Sequence, residues 1–458
     1  MVKIRWRPEL IVLIIAAFVT RLWSLFTPNA VVFDEVYFKA FASHYLDGRY
    51  FFDIHPPLGK LLLALTALLF HLSPSAMQSG TAVQLRLLPA IAGALLIPTV
   101  WALLRRLGAS RVFAFLGAFC VLLDGALLVE SRFILVDSML ILFGVLAVYL
   151  YLVYRDTHTR MSWLWLALSA LFAGASVSTK WTGLNAIAII LVIRFWDSRH
   201  NIAPSLKRTA ELAVLLLIPI LLYISVFWIH FQLLSHSGDG DAFMTPKFQS
   251  TLIGSPYYNP HARMSFAAKF IELNKEMFLA NQSLTATHPY GSHWYMWPLE
   301  IRPIYYWEGS VLSNGTQGNI YLLGNPAVWW GIWIAIFSGF SYVFATRHKL
   351  SSSTIAGLSL CAAAFIINFA PFITITRIMF LYHYLFALIY SLCFAILLWN
   401  DIARHRIGRE PKQRKPTILF AAVCLIIALT FIYFIPISYG TPLSPTQLEQ
   451  HMWLRSWR

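Results

Sequence analysis

Asp34 and Glu35 stand side by side, and Asp53, His55 and Lys60 follow them closely. Farther along come isolated charges in otherwise apolar sequence: Arg86, Glu130, Arg132, Lys180 and Arg377, with Asp124 and Asp137 on either side of the 130–132 group. A carboxylate can take the proton of a hydroxyl nucleophile, and Arg and Lys can hold a phosphate as it gains charge. Adjacent residues point in different directions, so Asp34 and Glu35 do not form a glycosidase-type pair facing one substrate. One reacting carboxylate and one supporting carboxylate is the expected division. Asp124 and Asp137 are too short to reach water from inside a membrane, and Arg132 is the expected partner for either.

The elements that must position these groups are membrane helices. Of 458 residues, 58% are hydrophobic and only 12% are charged, with a mean hydropathy of +0.65. A soluble chain carries about a quarter charged residues, so a soluble enzyme is excluded. A bilayer core takes about 20 apolar residues per helix. About 11 transmembrane helices are expected, at 9–26, 86–104, 112–129, 133–154, 162–178, 181–196, 209–230, 327–345, 353–375, 378–399 and 416–437. The stretch Leu58–Ser73 follows His55-Pro56-Pro57 and is short for a span. Leaving it out places 20 of the 35 basic residues in short loops on one face. Basic loops stay cytoplasmic, so the amino terminus is expected inside and the carboxyl terminus outside a cell membrane. The same distribution explains the net charge of +15 without a nucleic-acid partner. Cys120, Cys361, Cys393 and Cys424 lie in apolar stretches and read as small buried hydrophobes.

The map divides into an amino-terminal transmembrane half, 1–230, a large external loop, 231–326, and a carboxyl-terminal transmembrane segment, 327–458. The first external loop, 27–85, and the fourth, 231–326, are long, and such connections are usually functional. On this map the isolated charges collect at the outer membrane edge, where they can line a polar cavity. No Walker A loop, dinucleotide fingerprint, HExxH or nucleophile elbow occurs. A transferase of this kind therefore draws its donor from the membrane, as a lipid-linked sugar phosphate.

Several blocks carry a family resemblance. Phe33-Asp34-Glu35-Val36-Tyr37-Phe38, Phe41-Ala42-Ser43-His44-Tyr45 and Phe51-Phe52-Asp53-Ile54-His55-Pro56-Pro57-Leu58-Gly59-Lys60 closely resemble the first lumenal loop of protein O-mannosyltransferases. Arg86-Leu87-Leu88-Pro89-Ala90, the stretch Glu130–Ser138 and Thr179-Lys180-Trp181-Thr182-Gly183-Leu184 resemble later blocks of that family. So do His288-Pro289-Tyr290-Gly291-Ser292, Trp297-Pro298-Leu299, Tyr305-Tyr306-Trp307 and Tyr382-His383-Tyr384. The blocks run in order through most of the chain. The 231–326 loop leaves no room for the β-trefoil MIR domain of eukaryotic members, so the chain looks like a bacterial-type member.

The resemblance implies an all-α polytopic protein of type C glycosyltransferase fold. It implies inverting transfer of mannose from polyprenyl-phosphate-mannose to Ser or Thr hydroxyls of proteins at the outer face. By resemblance Asp34 is the base and Glu35 its support. His55, Arg86, Arg132, Lys180 and Arg377 are candidates for the lipid phosphate, Arg86 and Arg132 foremost. Asp137, His288, Tyr290, Trp297 and His383 are supporting, with Asp137 paired to Arg132. Trp294, Trp297 and Trp307 are candidates to stack on sugar or acceptor, or to anchor at the membrane interface. No cofactor and no metal ligand set are expected, a divalent metal being left open. The expected partners are the lipid donor, a protein acceptor and membrane lipids. A lipid-linked sugar transferase acting on a glycolipid such as lipid A is the alternative, and a polyprenyl-lipid transporter is the reading from another class.

Overall fold

The structure is a computed structural model that describes residues 7–198, 205–283, 285–407 and 415–458. Lys3, Arg5, Arg199, Arg409, Lys412 and Arg414, which enter the charge count above, lie outside the described residues.

The chain is helical apart from one hairpin. Helix α1 (Pro8–Leu22) leads into a loop and then α2 (Glu35–Asp47), α3 (Leu58–Leu69) and α4 (Pro74–Ser79). The first helical body follows as α5 (Leu87–Arg106), α6 (Arg111–Leu122), α7 (Gly125–Arg132), α8 (Asp137–Arg155), α9 (Ser162–Thr179), α10 (Leu184–Ser198) and α11 (Leu206–Leu233). The long connection holds α12 (Pro246–Gln249), α13 (Phe266–Ser283) and the antiparallel pair β1 (Ile304–Glu308) and β2 (Asn319–Leu322). It is followed by α14 (Pro326–Thr346), α15 (Ser352–Phe369), α16 (Leu385–Ile407), α17 (Lys415–Tyr439) and α18 (Pro445–His451).

Among the described residues, eight helices are long and apolar enough to cross a membrane: α5, α8, α9, α11, α14, α15, α16 and α17. The pair α6 and α7, bent by 55°, makes nine if it counts as one span. The expected stretches at 9–26 and 181–196 hold the helices α1 and α10, of 15 described residues each, below the 18 residues that a helix in this count has. Ser24 takes a left-handed conformation (φ 51°) just past α1. Lys180 is extended and Trp181–Gly183 forms a 3-10 turn before α10 begins. The bend between α6 and α7 falls at Asp124, whose side chain accepts the Leu127 N–H at 2.9 Å and so starts a new helix. Glu130 and Arg132 consequently lie in the last turn of α7, and the turn expected there is displaced to 133–136. Helix α3 has 12 residues, about 18 Å, too short to span.

Helices α8 and α16 are the most enclosed, each 83% buried over its apolar window, whereas α11, α14 and α17 keep mostly exposed apolar surface. That is how a membrane bundle sorts its central and lipid-facing helices. Two glycines allow close packing near the site. A Cβ on Gly93 of α5 would lie 2.3 Å from Ser131 Cβ of α7, and one on Gly59 of α3 would lie 2.7 Å from Val136. Both contacts press α3, α5 and α7 around the start of α8. The four cysteines are free, and three are buried.

Candidate active site

The loop from Trp23 to Phe33 has no regular structure of its own and is fixed from outside. Arg86, at the entry to α5, is fully buried. Its guanidinium donates to the carbonyls of Leu25 (3.3 Å), Pro28 (2.8 Å) and Ala30 (2.8 Å) and to both oxygens of Glu35 (2.7 and 2.8 Å). The Glu35 carboxylate, also fully buried, accepts the backbone N–H of Val32 (2.8 Å) and of Ile134 (2.9 Å) as well. Five donors and four acceptor positions are thus all engaged inside the protein. Nothing of Arg86 is left for a lipid phosphate, and nothing of Glu35 for an acceptor. Together they tie the loop to α5 and to the 133–136 turn.

Arg132 is a second internal anchor. It donates to the carbonyls of Arg21 (3.1 Å), Trp23 (2.6 Å) and Ser24 (2.9 Å), beyond which α1 cannot continue, and lies 4.2 Å over the Tyr439 ring. This is a cation set against the carbonyl end of a helix. The expected pairing of Arg132 with Asp137 or Asp124 does not form. Asp137 pairs with Lys180 at 2.6 Å. Asp124 accepts from Asn325 N–H (3.1 Å) and Trp329 Nε1 (2.7 Å). The reason is reach: Lys180 arrives at the start of α8 from the extended break after α9, whereas Arg132 turns toward α1.

Asp34 occupies the position before α2, with its side chain making no hydrogen bond or ion pair among the described residues. Burial raises its pKa to about 6, Lys180 opposes the rise, and the negative charges of Asp137 and Asp53 add to it. Lys180 also lies 5.2 Å from the Tyr382 ring. On the other side, Lys60 pairs with Asp53 and donates to the His55 carbonyl at 2.6 Å. Burial, Lys180 and Lys60 lower the pKa of His55 to about 3, so its ring is neutral at pH 7 and offers one N–H. Arg377 makes one long hydrogen bond, 3.3 Å to the neighbouring Ile378 carbonyl. It is half-buried, and its other donors make no hydrogen bond among the described residues. The structure therefore brings Asp34, His55, Lys180 and Arg377 into one electrostatic neighbourhood with Asp53 and Asp137, and sets Glu35, Arg86 and Arg132 behind it.

The wall beside Asp34 is aromatic and comes from the carboxyl-terminal half. Tyr306 stacks on Phe33, with centroids 4.2 Å apart and planes 8° apart. Its carbonyl accepts the Phe33 N–H at 3.2 Å. Its hydroxyl donates to Glu130 at 2.6 Å. Tyr305 pairs with Tyr321 and Trp307 with Ile320, so Tyr306 is the extra residue of a β-bulge. A bulge leaves that residue without a ladder partner and turns it, which frees Tyr306 to hold Phe33. Phe380 meets Phe33 edge-on at 6.4 Å and the His288 ring at 5.3 Å. Trp297 is fully buried, bonds Ser292 Oγ at 2.9 Å and stacks on His383 at 5.8 Å. It can neither stack on a sugar nor anchor at the membrane interface, and it supports His383 instead. Tyr290 and His288 lie at the outer rim, His288 exposed and Tyr290 under the Arg302 guanidinium at 5.1 Å.

Reading the sequence did not assign roles to Tyr306, Tyr382 or Glu130. Tyr306 and Tyr382 sit inside the quoted blocks, but only strand register and the fold direct them toward Asp34. Among the described residues no group of three or more His, Cys, Asp or Glu side chains is arranged to hold a metal ion.

Comparison with known proteins accounts for nearly the whole chain. Residues 11–235 match the family described as dolichyl-phosphate-mannose-protein mannosyltransferase, and residues 266–457 match the C-terminal four TMM region of protein-O-mannosyltransferase. Dolichyl-phosphate-mannose–protein mannosyltransferase 4 of Candida albicans is 31% identical over 336 residues, which are 68% of this chain and 42% of that protein. The chain thus spans about two fifths of the length of such curated relatives. The structure of the Saccharomyces cerevisiae protein O-mannosyltransferase Pmt1–Pmt2 complex bound to the sugar donor aligns with a TM-score of 0.88 at 22% identity, covering 100% of this chain and 93% of that one. The Archaeoglobus fulgidus oligosaccharyltransferase in the apo form aligns at 0.51 with 16% identity, covering 94% and 55%. The fold is that of type C glycosyltransferases, and the chain belongs to the protein O-mannosyltransferase family.

Proposed function

We propose that the chain transfers mannose, with inversion, from a polyprenyl-phosphate-mannose to Ser or Thr hydroxyls of proteins. The observation that carries this reading is the unbonded Asp34 carboxylate beside the Lys180–Asp137 pair, with its pKa near 6. A hydroxyl seated against Asp34 passes its proton to the carboxylate as its oxygen attacks the anomeric carbon. The bond from that carbon to the phosphate oxygen breaks, and the lipid phosphate leaves as a more highly charged anion. Arg377, the free protons of the Lys180 ammonium and the neutral His55 N–H are the donors suited to that charge. A phosphate leaves without a strong general acid, so one carboxylate is enough. Glu35 and Arg86 act by holding the loop that presents Asp34.

The basic loops support a cytoplasmic amino terminus and a site at the outer face of a cell membrane. Arg105 and Arg155 lie in the last turns of α5 and α8, Arg347 directly follows α14, and Arg160 lies in the α8–α9 connection. The test is mannosyl transfer from a purified lipid-linked donor to a Ser/Thr peptide in detergent, with donor binding measured in parallel. Asp34→Asn should lower kcat about 10²-fold or more while donor affinity changes little. Normal turnover, or a loss confined to donor binding, would remove Asp34 from the role of base.

A further inference from the structure

The opposite end of the bundle carries a cavity that the transfer reaction does not use. Helix α8 starts beside Lys180 and ends at Arg155, about 27 Å away along its axis. There the ends of α8, α9, α10 and α11 enclose a cavity of about 500 Å³. Its wall contains Arg155, Arg160, Arg194, Lys207 and Arg208. Among the described lining residues two acids, Asp197 and Glu211, face these five cations, and Arg155 also pairs with Asp156 beside the wall at 3.1 Å, so the wall is net positive.

The floor is built. Glu211 is buried, accepts from Arg194 at 2.5 Å and from the Tyr154 hydroxyl, and has Lys207 only at 4.0 Å. Arg194 also donates to the Arg208 carbonyl at 2.6 Å. Arg194 is therefore fixed at the base, while Arg160 and Lys207 reach out at the mouth, both exposed. Apolar aromatics stand at the same level: Trp163, which lines the cavity, is 39% exposed and Phe195 is 69% exposed. Rings at this depth belong to a membrane interface. A cationic cavity between helix ends, flanked by such rings, suits a ligand with a phosphate head and hydrocarbon tails.

We infer that this cavity binds the phosphate headgroup of an anionic membrane lipid, in the leaflet opposite to Asp34. Its chemistry is that of a phosphodiester held by charge-assisted hydrogen bonds, with the acyl chains passing along Trp163 and Phe195. The site is separate from the transfer chemistry and stands whether or not the proposed reaction is correct.

Native mass spectrometry of the full-length protein in detergent tests it, by titration with phosphatidylglycerol, phosphatidylcholine and inorganic phosphate. Phosphatidylglycerol should bind at least tenfold more tightly than phosphatidylcholine, and millimolar phosphate alone should not displace it. The double variant Arg160→Ala/Lys207→Ala should weaken phosphatidylglycerol binding at least fivefold, while mannosyl transfer in detergent is retained. Arg347→Ala/Lys349→Ala removes equal charge from the α14–α15 loop at the same membrane surface and should change binding less than twofold. Equal losses in the two double variants would show diffuse surface charge and overturn the site. So would a lack of preference for phosphatidylglycerol, or its full displacement by phosphate.

Discussion

Arg86 grips Glu35 through two hydrogen bonds of 2.7 and 2.8 Å, with both side chains withdrawn completely from solvent. The pair spans 51 residues of sequence and closes the loop on which Asp34 stands. Removing one member leaves a buried charge alone, which costs about 3–5 kcal/mol. Arg86→Ala and Glu35→Ala should each lower the unfolding temperature in detergent and abolish transfer together with the fold of the loop. If Arg86→Ala instead weakened donor binding at unchanged stability, the guanidinium would be contacting phosphate after all.

Asp34 makes the reaction pH-dependent in a definite direction. Its pKa near 6 means that the basic form is lost as pH falls below 6, so kcat/KM should drop about tenfold per pH unit on that limb. Stability runs the other way. A pKa raised above the unfolded value of 3.8 favours the protonated fold, a contribution present below pH 3.8 and lost as pH rises through 6. At pH 7 the ionised Asp34 thus costs the fold about 1–3 kcal/mol. Asp34→Asn should melt higher than the parent chain above pH 6 and match it near pH 4. Identical melting curves at both pH values would contradict the burial that sets this pKa.

The residue types of the site were legible in the sequence, and their partners were not. Lys180 and Arg377 stood out as charges placed against apolar runs, and Asp34 and His55 as part of a charged loop whose roles the family resemblance supplied. The family resemblance set Arg86 and Arg132 foremost for the phosphate, although the fold turns both inward. An arginine at a helix end looks the same whether it faces a ligand or a neighbouring carbonyl, and the choice depends on where the Trp23–Phe33 loop lies. Asp137 went to Lys180 rather than Arg132 because α9 ends in an extended residue, which hydropathy does not encode. Local breaks within apolar runs stay hidden for a related reason. An apolar run of sufficient length can still be cut by a 3-10 turn, as at Trp181–Gly183.

Arg377 and Lys180 should separate binding from architecture. Arg377 has one internal hydrogen bond, so Arg377→Ala should leave the melting temperature within about 1 °C and weaken donor binding or kcat/KM by about 2–4 kcal/mol. Lys180→Ala strips Asp137 of its partner and should cost stability as well as activity. The double variant Lys180→Ala/Asp137→Ala should recover melting temperature without recovering turnover. Arg377→Ala with full kcat/KM would leave this cation without a part in the reaction.

Tyr306 offers the sharpest distinction between holding Asp34 in place and merely filling space. Its ring stacks on Phe33, its carbonyl takes the Phe33 N–H, and its hydroxyl serves Glu130. Tyr306→Phe keeps the stack and the backbone contact but leaves a buried Glu130 oxygen without its donor, a loss of about 1–3 kcal/mol of stability. Adding Glu130→Gln to that variant should return part of the stability. Since Phe33 remains held, kcat should stay within about threefold in both. Tyr306→Ala removes the stack, a contact of about 0.5–1.5 kcal/mol, and releases the residue directly before Asp34. Its kcat should fall about tenfold or more with donor affinity unchanged, because small misplacements of a base are costly in the chemical step. If Tyr306→Phe and Tyr306→Ala lost turnover equally, the hydroxyl and Glu130 would be the working parts, and the stack on Phe33 would be packing alone.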